Sequence, residues 1–493
     1  MDRDAERAGS GAERALRFAI VGAGMSGILS AIKLNEAGLT DFTVYEKADR
    51  LGGTWRENTY PGLACDVPSH LYSYSFAPSP GWSHRYSPGG EIQGYFERVA
   101  RQHEIERHIR FGDEVTSCRF NHGRWQLETA GGHRDEVDVV IAATGVLHHP
   151  KLPDFEGLAD FDGATFHSSR WDHEVKLDGA RVGIVGTGST AVQMVSALVG
   201  RVARLSLFQR TAQWILAQEN PAYADDEKAA FRQNPARLAE LRTQLTQLFD
   251  VFANAIVDAE SPEMQMIAEL CRANLDDNVR DPELRERLRP DYQAACKRLI
   301  MSPDFYEAIQ QPNAELVTEG IERVEAAGVR TRDGRLHELE VLVLATGFKA
   351  DAFMRPMAVV GRGGQTLERL WAARPNAYLS ISIPDFPNFF MLNGPNGPVG
   401  NFSLIEVAEL QFAYVMQLVE RLRSGECREI SATREAMEQH EAARVEAAKH
   451  TVWVTGCRSW YLDDRGVPAT WPWSFDRFRA EMQAPNPRAF EYR

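Results

Sequence analysis

The hydrophobic pattern of the chain contains two short apolar runs, each followed by glycines and then by a helical pattern. The runs occupy residues 18–21 and 182–185, and each has the length of a strand rather than of a helix. Beyond the glycines, apolar residues recur at helical spacing over residues 28–34 and 192–198. A buried strand that enters a helix through a glycine turn is typical of a nucleotide-binding βαβ unit. The pattern therefore predicts two such units.

The two glycine turns have the spacing of dinucleotide-binding motifs. Glycine removes the side chain that would keep the backbone away from a pyrophosphate, and the helix N-terminus adds a partial positive charge. Either match alone is a weak signal, but second strands are predicted at the proper offset in both units, over residues 42–45 and 205–208. The residues expected at the two pyrophosphates are Gly22, Gly24, Gly27, Gly186, Gly188, Ser189 and Thr190.

The residue at the end of the second strand has opposite charge in the two units. Glu46 follows Gly22 by 24 positions, and Arg210 follows Gly186 by the same 24 positions. A carboxylate at this place accepts hydrogen bonds from a ribose diol, whereas a guanidinium can bind a 2′-phosphate. The first unit is therefore expected to bind FAD and the second NADPH.

A repeated strand-and-turn pattern indicates how the chain is divided. Residues 137–141 are an apolar strand followed by Ala-Thr-Gly, and residues 341–344 are another apolar strand followed by the same three residues. Such a repeated strand and turn is expected where one domain is inserted into another, because the chain must leave the first domain and later return to it. The predicted fold class is α/β, with two Rossmann-like dinucleotide-binding domains and a helical insertion. The expected divisions are a flexible tail at 1–16, a discontinuous FAD-binding domain at 17–150 and 345–493, and an NADPH-binding domain at 151–344.

Residues from about 223 to 298 carry few strand signals and many helix formers. One face of an amphipathic helix is predicted there, and core packing is its main interpretation, with a cap that shapes a substrate pocket as the alternative. A second helix is predicted over residues 403–423, whose N-terminus is either ordinarily capped or directed at an anionic ring atom. The apolar positions of the first helix are Leu238, Leu241, Leu245, Leu248, Phe252 and Ile256.

Composition narrows the class of partner. The 493 residues have a net charge of −14, which disfavours nucleic acid and anionic membranes as partners. No run of eighteen apolar residues occurs, so no membrane span is expected, and the polar beginning of the chain is unlike a signal peptide. We therefore expect a cytoplasmic protein.

The cysteines are scattered along the chain and form no C-x-x-C pair. Their spacing favours a reducing compartment and argues against a metal cluster or a dithiol redox centre. No metal site is expected. The six cysteines are Cys65, Cys118, Cys271, Cys296, Cys427 and Cys457.

Two motifs give the chain a resemblance to a known family. The first has the pattern F-x-G-x(3)-H-x(3)-W-D, and the second is the run Gly-Gly-Thr-Trp-Arg-Glu-Asn at the start of residues 52–66. With both motifs, the chain resembles the type I Baeyer-Villiger monooxygenases, class B flavoprotein monooxygenases related to the flavin-containing monooxygenases. The Trp-Asp ending is normally absent from the relatives that oxidise nitrogen and sulfur, so it favours the ketone-oxidising branch. The fingerprint residues are Phe161, Gly163, His167, Trp171 and Asp172.

The resemblance implies a reaction. It is that of an FAD-dependent monooxygenase that consumes NADPH and O2 and converts a ketone into an ester or lactone through a C4a-peroxyflavin. Sulfoxidation is the expected side activity. The main alternative is an N- or S-hydroxylating flavin monooxygenase of a biosynthetic pathway, with a sulfide or an amine as substrate. A flavoprotein electron-transfer reductase is less favoured, because it would need a disulfide, a docking patch or a protein acceptor.

The resemblance also assigns roles to single residues. Arg298 corresponds to the active-site arginine of the family, whose permanent charge would stabilise a peroxyanion without donating a proton to it. Asp66 would hold Arg298 in place and receive hydrogen bonds from the nicotinamide amide. His167 is expected to orient the linker between the domains rather than to touch substrate. Further residues expected at the cofactors are Gly53, Thr54, Trp55, Gln193, Thr211, Lys297 and Trp460, in addition to Arg210.

The chain departs from the family pattern near its C-terminus. Trp460 is expected on a mobile segment that closes over the nicotinamide cofactor, with a packing anchor as the alternative. The residues after it, 461–473, differ from the closing segment of the cyclohexanone-type members, and Lys349 stands where an acid is common. These departures leave the substrate and the shape of the closing segment open.

Overall fold

The structure, a computed structural model, describes residues 14–400 and 402–493. Most of the tail predicted at residues 1–16 lies outside these ranges. The end of that prediction is wrong, however, because Leu16 is only 3% exposed and packs in the core of the first sheet. Folded structure therefore begins no later than residue 14.

The described residues form an α/β fold in which strands and helices alternate through each nucleotide-binding unit. In chain order, the strands are β1 (Phe18–Val21), β2 (Phe42–Glu46), β3 (Ile109–Phe111), β4 (Val115–Asn121), β5 (Arg124–Thr129), β6 (Arg134–Val137), β7 (Val139–Ala142), β8 (Ala164–His167), β9 (Arg181–Val185), β10 (Arg204–Phe208), β11 (Ile215–Ala217), β12 (Ile300–Ser302), β13 (Ala314–Val317), β14 (Ile321–Glu325), β15 (Gly328–Thr331), β16 (Leu336–Glu338), β17 (Val341–Leu344), β18 (Ala358–Val360), β19 (Phe389–Met391), β20 (Ile430–Ala432) and β21 (Phe490–Tyr492). The helices are α1 (Met25–Glu36), α2 (Thr54–Glu57), α3 (Gly89–Gln102), α4 (Ser189–Leu198), α5 (Asp225–Gln233), α6 (Pro235–Ala255), α7 (Pro262–Asn278), α8 (Pro282–Leu288), α9 (Phe305–Ala308), α10 (Leu367–Leu370), α11 (Leu404–Arg423), α12 (Arg434–Ala448) and α13 (Phe475–Glu481).

The first sheet contains five parallel strands in the order β19-β7-β1-β2-β3. Its central strand β1 is buried along its whole length, because both faces of the sheet are covered. Ile20 faces the core that contains α1 and α11, whereas its neighbour Ala19 faces the opposite core, which contains Trp125. This burial on two sides explains why β1 reads as a continuous apolar run.

The second sheet also contains five parallel strands, in the order β13-β10-β9-β17-β8. The returning strand β17 pairs with β8 on one side and β9 on the other, so the chain leaves this sheet just after residue 344. The predicted α/β fold with two parallel sheets is confirmed.

The helical insertion contains α5 to α8 and differs in one respect from the predicted amphipathic stripe. In α6, Leu238 and Leu245 are buried, but Leu248 is 59% exposed and therefore does not belong to a packed face. Ile256 is buried in the core of the second sheet, and Phe252 packs against that core; both also line a cavity. Core packing thus describes the stripe at both ends but not at Leu248. Among the described residues, no helix is both long enough and apolar enough to cross a bilayer.

Two glycines of the second turn form a matched pair for substitution. Gly186 has φ +119°, and a Cβ added there would lie 2.3 Å from the carbonyl oxygen of Ala345, whereas a Cβ at Gly188 would meet nothing within 4 Å. We expect Gly186→Ala to lower the melting temperature by several degrees, because a left-handed backbone costs about 1–2 kcal/mol for alanine and the backbone clash adds to it. Gly188→Ala should keep the melting temperature and instead raise KM for NADPH. Thermal unfolding and nucleotide kinetics of both variants check this; equal melting temperatures would contradict the steric explanation.

Candidate active site

Both glycine turns lead into helices whose first N–H groups are available to a ligand. Helix α1 begins after Gly24 and α4 after Gly188, and no side chain caps either helix. Helix α11 also starts without a side-chain cap, and the buried hydroxyl of Ser403 has no hydrogen-bond partner in the described part of the chain. Uncapped helix N-termini attract anionic groups. The two turns therefore fit pyrophosphates, and α11 fits the interpretation that it is directed at an anionic ring atom.

Glu46 stands at the end of β2 beside the first turn. Its two carboxylate oxygens accept hydrogen bonds from the backbone N–H groups of Ala23, at 2.8 Å, and Ala48, at 3.0 Å. These bonds fix the carboxylate in a buried position, and the oxygens retain lone pairs that a ribose diol can use. The geometry fits the expected FAD ribose contact.

The loop with Gly53, Thr54 and Trp55 lies against the same turn. A Cβ added to Gly24 would approach the Cα of Gly53 to 3.5 Å, and α2 starts at Thr54. The indole N–H of Trp55 donates to the hydroxyl of Tyr72 at 3.1 Å. The structure thus gathers the predicted first-cofactor residues around one turn.

The second cofactor's expected phosphate residues also lie together. Arg210 is exposed at the end of β10, and its charge is close enough to Lys297 to contribute to a lowered pKa of that amine, although burial is the larger cause. The carbonyl of the neighbouring Thr211 accepts a hydrogen bond from the Thr187 hydroxyl at 2.8 Å. Two cations near each other repel, and a phosphate between them would remove that repulsion. The pair fits a 2′-phosphate.

The lowered pKa of Lys297 predicts a pH-dependent affinity for NADPH. The amine binds phosphate only when protonated, and it loses its proton as pH rises through a pKa below its ordinary value of 10.5. We expect KM for NADPH to rise in alkaline solution, whereas KM for NADH, which lacks the phosphate, stays level. In Arg210→Ala the rise should begin at higher pH, because the repulsion that favours the neutral amine is gone. Profiles of KM against pH in both proteins check this, and an unchanged onset in the variant would contradict it.

Gln193 is expected along the NADPH pyrophosphate, and its side-chain amide already has two protein partners. Ser189 and Thr190 form the first turn of α4, but Gln193 lies one turn further along that helix. Its amide oxygen accepts from the Tyr60 hydroxyl at 2.9 Å, and its amide nitrogen donates to the Ala64 carbonyl at 3.0 Å. Because both ends of the amide are paired with protein, Gln193 joins α4 to the segment before Asp66.

His167 of the fingerprint lies at the linker between the two sheets. Its Nε2 is 3.0 Å from the carbonyl oxygen of Gly347, and its Nδ1 is 2.9 Å from the hydroxyl of Ser169. Burial lowers the pKa of the imidazole, which favours the neutral ring. The contact with Gly347, just after the returning strand β17, is compatible with the expected role of His167 in orienting the linker, which stays a prediction.

The other fingerprint residues also make structural contacts. A Cβ on Gly163 would lie 2.4 Å from the carbonyl oxygen of Glu340, so only glycine fits there. Trp171 packs edge-on against Phe166, with ring centroids 5.0 Å apart, and the exposed Asp172 accepts from the N–H of Glu174 at 2.9 Å. Phe161 packs against the core on one face of the second sheet.

Arg298 and Asp66 meet at the wall of a cavity. One terminal nitrogen of the guanidinium donates to the Asp66 carboxylate, and the other donates to the Gly400 carbonyl at 3.0 Å. The negative charge of Asp66 raises the pKa of Arg298 further above its ordinary range, so the guanidinium remains charged. Its side chain is 32% exposed, which leaves part of it open to a ligand. Folding thus joins two predicted site residues that are 232 positions apart.

Tyr461 is a further residue beside Arg298 that the sequence analysis did not identify. Its side chain lines the same cavity as the guanidinium, and burial raises the pKa of the phenol, so the ring stays neutral. Trp460 is 43% exposed and stacks on Tyr461, with ring centroids 4.1 Å apart. Adjacency to Trp460 was the only signal in the sequence that pointed to Tyr461.

The cavity beside Arg298 has a largely apolar wall. It is partly open to solvent. Such a wall with one paired cation suits an apolar molecule that directs a single polar atom at the guanidinium. Of the apolar residues in this wall, only those on α6 were indicated by the sequence, as part of a cap that could shape a substrate pocket. The apolar side chains of the wall are Phe249, Phe252, Ile256, Leu299, Met301 and Trp453.

Cys296 and Cys457 form a disulfide next to this cavity. The spacing of the cysteines gave no sign of this pair, because folding brings together two thiols that lie 161 positions apart. The four other cysteines are free and buried. Among the described residues, no three His, Cys, Asp or Glu side chains gather as ligands for a metal ion.

Comparisons with known proteins give consistent results. A family model described as flavin-binding monooxygenase-like matches residues 15–232. The chain is 48% identical to a protein named as an uncharacterized monooxygenase of Mycobacterium tuberculosis, with 96% of each chain covered. It is 38% identical to a Baeyer-Villiger monooxygenase of Streptomyces coelicolor, covering 95% of this chain and 91% of that one. The crystal structure of cyclohexanone monooxygenase from Rhodococcus sp. Phi1 bound to NADP+ matches with a TM-score of 0.87 and 29% identity, covering 97% of this chain and 99% of that one.

Proposed function

The chain belongs to the Baeyer-Villiger monooxygenases, and from that membership we propose that the cavity beside Arg298 receives an apolar ketone for conversion into an ester or lactone. It is a flavin-dependent, NADPH-using monooxygenase. The observation that carries the proposal is the Arg298–Asp66 pair at a wall whose other side chains, apart from the phenol of Tyr461, are apolar. An apolar ketone fits this wall, with its carbonyl oxygen towards the guanidinium.

The chain's own residues bind and orient the two cofactors. Bound FAD, reduced by NADPH, supplies the electrons that activate O2. Glu46 holds the FAD ribose, while Arg210 and Lys297 hold the 2′-phosphate of NADPH. This assignment supports the proposed domain division at residues 150 and 345. The strands of the first sheet lie outside residues 151–344, and the strands of the second sheet lie within them.

Arg298 stabilises the negative charge that develops on the carbonyl oxygen during attack. A guanidinium keeps its protons at neutral pH, so it provides charge and hydrogen bonds without acting as an acid. Asp66 and Gly400 orient it through two fixed acceptors. The apolar wall keeps water away, which strengthens the electrostatic interaction. Asp66 is also proposed to accept from the nicotinamide amide, and Trp460 to cover that cofactor.

The disulfide bears on the reductase alternative. Its presence removes one sequence argument against an electron-transfer enzyme. The identity to a Baeyer-Villiger monooxygenase over nearly the whole chain favours the monooxygenase instead. A reductase would oxidise NADPH with an electron acceptor and incorporate no oxygen into a product.

The proposed reaction is tested with a panel of aliphatic, cyclic and aryl ketones, supplied to the holoenzyme with NADPH and ¹⁸O2. The expected result is an ester or lactone that carries one ¹⁸O atom. Sulfides should yield sulfoxides more slowly. Rapid turnover of amines together with no turnover of any ketone would instead support the N-hydroxylating alternative.

A further inference from the structure

The Cys296–Cys457 disulfide joins the two segments that meet at Arg298. Cys296 lies two residues before Arg298, and Cys457 lies four residues before Tyr461, which lines the same cavity as the guanidinium. The backbone N–H of Cys457 also points to the sulfur of Cys296 at 3.3 Å. The cross-link is therefore built into the wall of the site rather than into a remote part of the fold.

The segment from Cys457 to Tyr461 is buried at its two ends, which belong to the core of the second sheet, and exposed at most positions between them. Residues 454–456 and Arg458 are exposed, and residues 455–474 contain no helix or strand. In the described part of the chain, the backbone N–H hydrogen bonds of residues 455–460 are local, except for the one from Cys457 to Cys296. Segments with few buried contacts and exposed backbone open locally at low cost. The disulfide thus fixes the segment at Cys457, and Tyr461 fixes its other end by packing against Trp453 and by accepting a hydrogen bond from the N–H of Ala469.

We propose that Cys296 and Cys457 form a thiol–disulfide switch that controls how firmly the Trp460–Tyr461 segment closes over Arg298. In the disulfide state, Tyr461 stays beside the guanidinium and water is kept out of the cavity. In the dithiol state, the segment is free to move away. This inference rests on the proposed function, because closure matters only where water diverts an activated-oxygen reaction to hydrogen peroxide.

Hydrogen peroxide, the product of such diversion, is the oxidant of the switch. The two thiols lose two electrons and two protons as the S–S bond forms, and the O–O bond of one hydrogen peroxide breaks to give two waters. A small dithiol reverses the step, because it becomes a disulfide while its two electrons and two protons pass to Cys296 and Cys457. A reduced, loosely closed enzyme therefore releases the oxidant that closes it again.

The switch is tested on the holoenzyme in two redox states, without ketone. Wild-type protein is reduced with excess dithiothreitol and desalted, and alkylation followed by mass spectrometry counts the thiols at Cys296 and Cys457. Hydrogen peroxide formed per NADPH oxidised and amide hydrogen exchange over residues 455–462 are then measured. We expect a several-fold higher peroxide yield and faster exchange in the reduced protein, and both should return to the starting values after treatment with hydrogen peroxide.

Cysteine variants separate the switch from general effects of reduction. Cys457→Ser should stay in the high-peroxide, fast-exchange state under both treatments. Cys427→Ser is the matched control, because Cys427 is a free, buried cysteine in the core of the first sheet, and it should respond like wild type. If Cys457→Ser does not fold, reduction and reoxidation of the wild type still decide the question.

Two results would overturn the switch: equal peroxide yield and exchange in the two redox states, or a disulfide that persists in the native holoenzyme under dithiothreitol. Both readouts are independent of ketone oxidation. A protein that oxygenates no ketone but shows redox-dependent exchange would therefore contradict the proposed function alone.

Discussion

Replacement of Arg298 by alanine is expected to abolish ester formation while NADPH oxidation continues. Among the described residues of the cavity wall, the variant loses the only positive charge that pairs with Asp66, and with it the group that stabilises negative charge on the carbonyl oxygen. Loss of one such electrostatic group lowers the rate by about 10²–10³-fold. Gas chromatography of the product and an assay of hydrogen peroxide, both normalised to NADPH consumed, measure the effect. The electrons taken from NADPH should then be recovered as hydrogen peroxide instead of ester.

Three further substitutions show whether this loss is specific. Arg298→Lys keeps a positive charge but not the planar fork, so an intermediate product yield is expected. Asp66→Asn should lower the yield with Arg298 in place, because the charge that orients the guanidinium is gone. Arg272→Ala is the matched control, since Arg272 lies on the exposed surface of α7 and pairs there only with Glu269. An unchanged ester yield in Arg298→Ala would remove Arg298 from the mechanism.

Replacement of Arg210 by alanine is expected to raise KM for NADPH far more than KM for NADH. Only NADPH carries the 2′-phosphate, and a charge-assisted hydrogen bond contributes about 1.5–3 kcal/mol. The expected rise in KM for NADPH is therefore about 10- to 100-fold, because each 1.36 kcal/mol corresponds to a factor of ten. Steady-state kinetics with both nucleotides measure the preference.

Variants on neighbouring positions test the same phosphate site. Arg204→Ala is the matched control, because Arg204 lies at the opposite end of β10 and pairs with Glu315. It should leave both KM values unchanged. The double variant Arg210→Ala with Lys297→Ala should show less than the sum of the two single effects, since both cations contact one phosphate. A parallel rise for NADPH and NADH in Arg210→Ala would show that the second nucleotide site is assigned wrongly.

The nucleotide-binding units were predictable from the sequence because their signals are local. Strand, glycine turn and helix lie within about forty residues of each other, and the charge of Glu46 or Arg210 stands at a set distance along the chain. The helix at residues 404–423 was predictable for the same reason, since its apolar period is contained in its own segment. The amphipathic stripe of α6 was predicted less well. Its period shows that one face is apolar, but not that the second half of this face borders a cavity.

The sequence by itself determined the fold class, the two cofactors and the family, because these depend on short motifs whose parts are neighbours in the chain. Only the tertiary structure decided that Tyr461 lines one cavity with Asp66 and Arg298, that Gln193 bonds to Tyr60 and Ala64, and that two cysteines 161 positions apart are linked. Each of these contacts joins residues from distant parts of the chain. Such contacts depend on how the sheets and the helical insertion pack together, and no local pattern of residues encodes that packing.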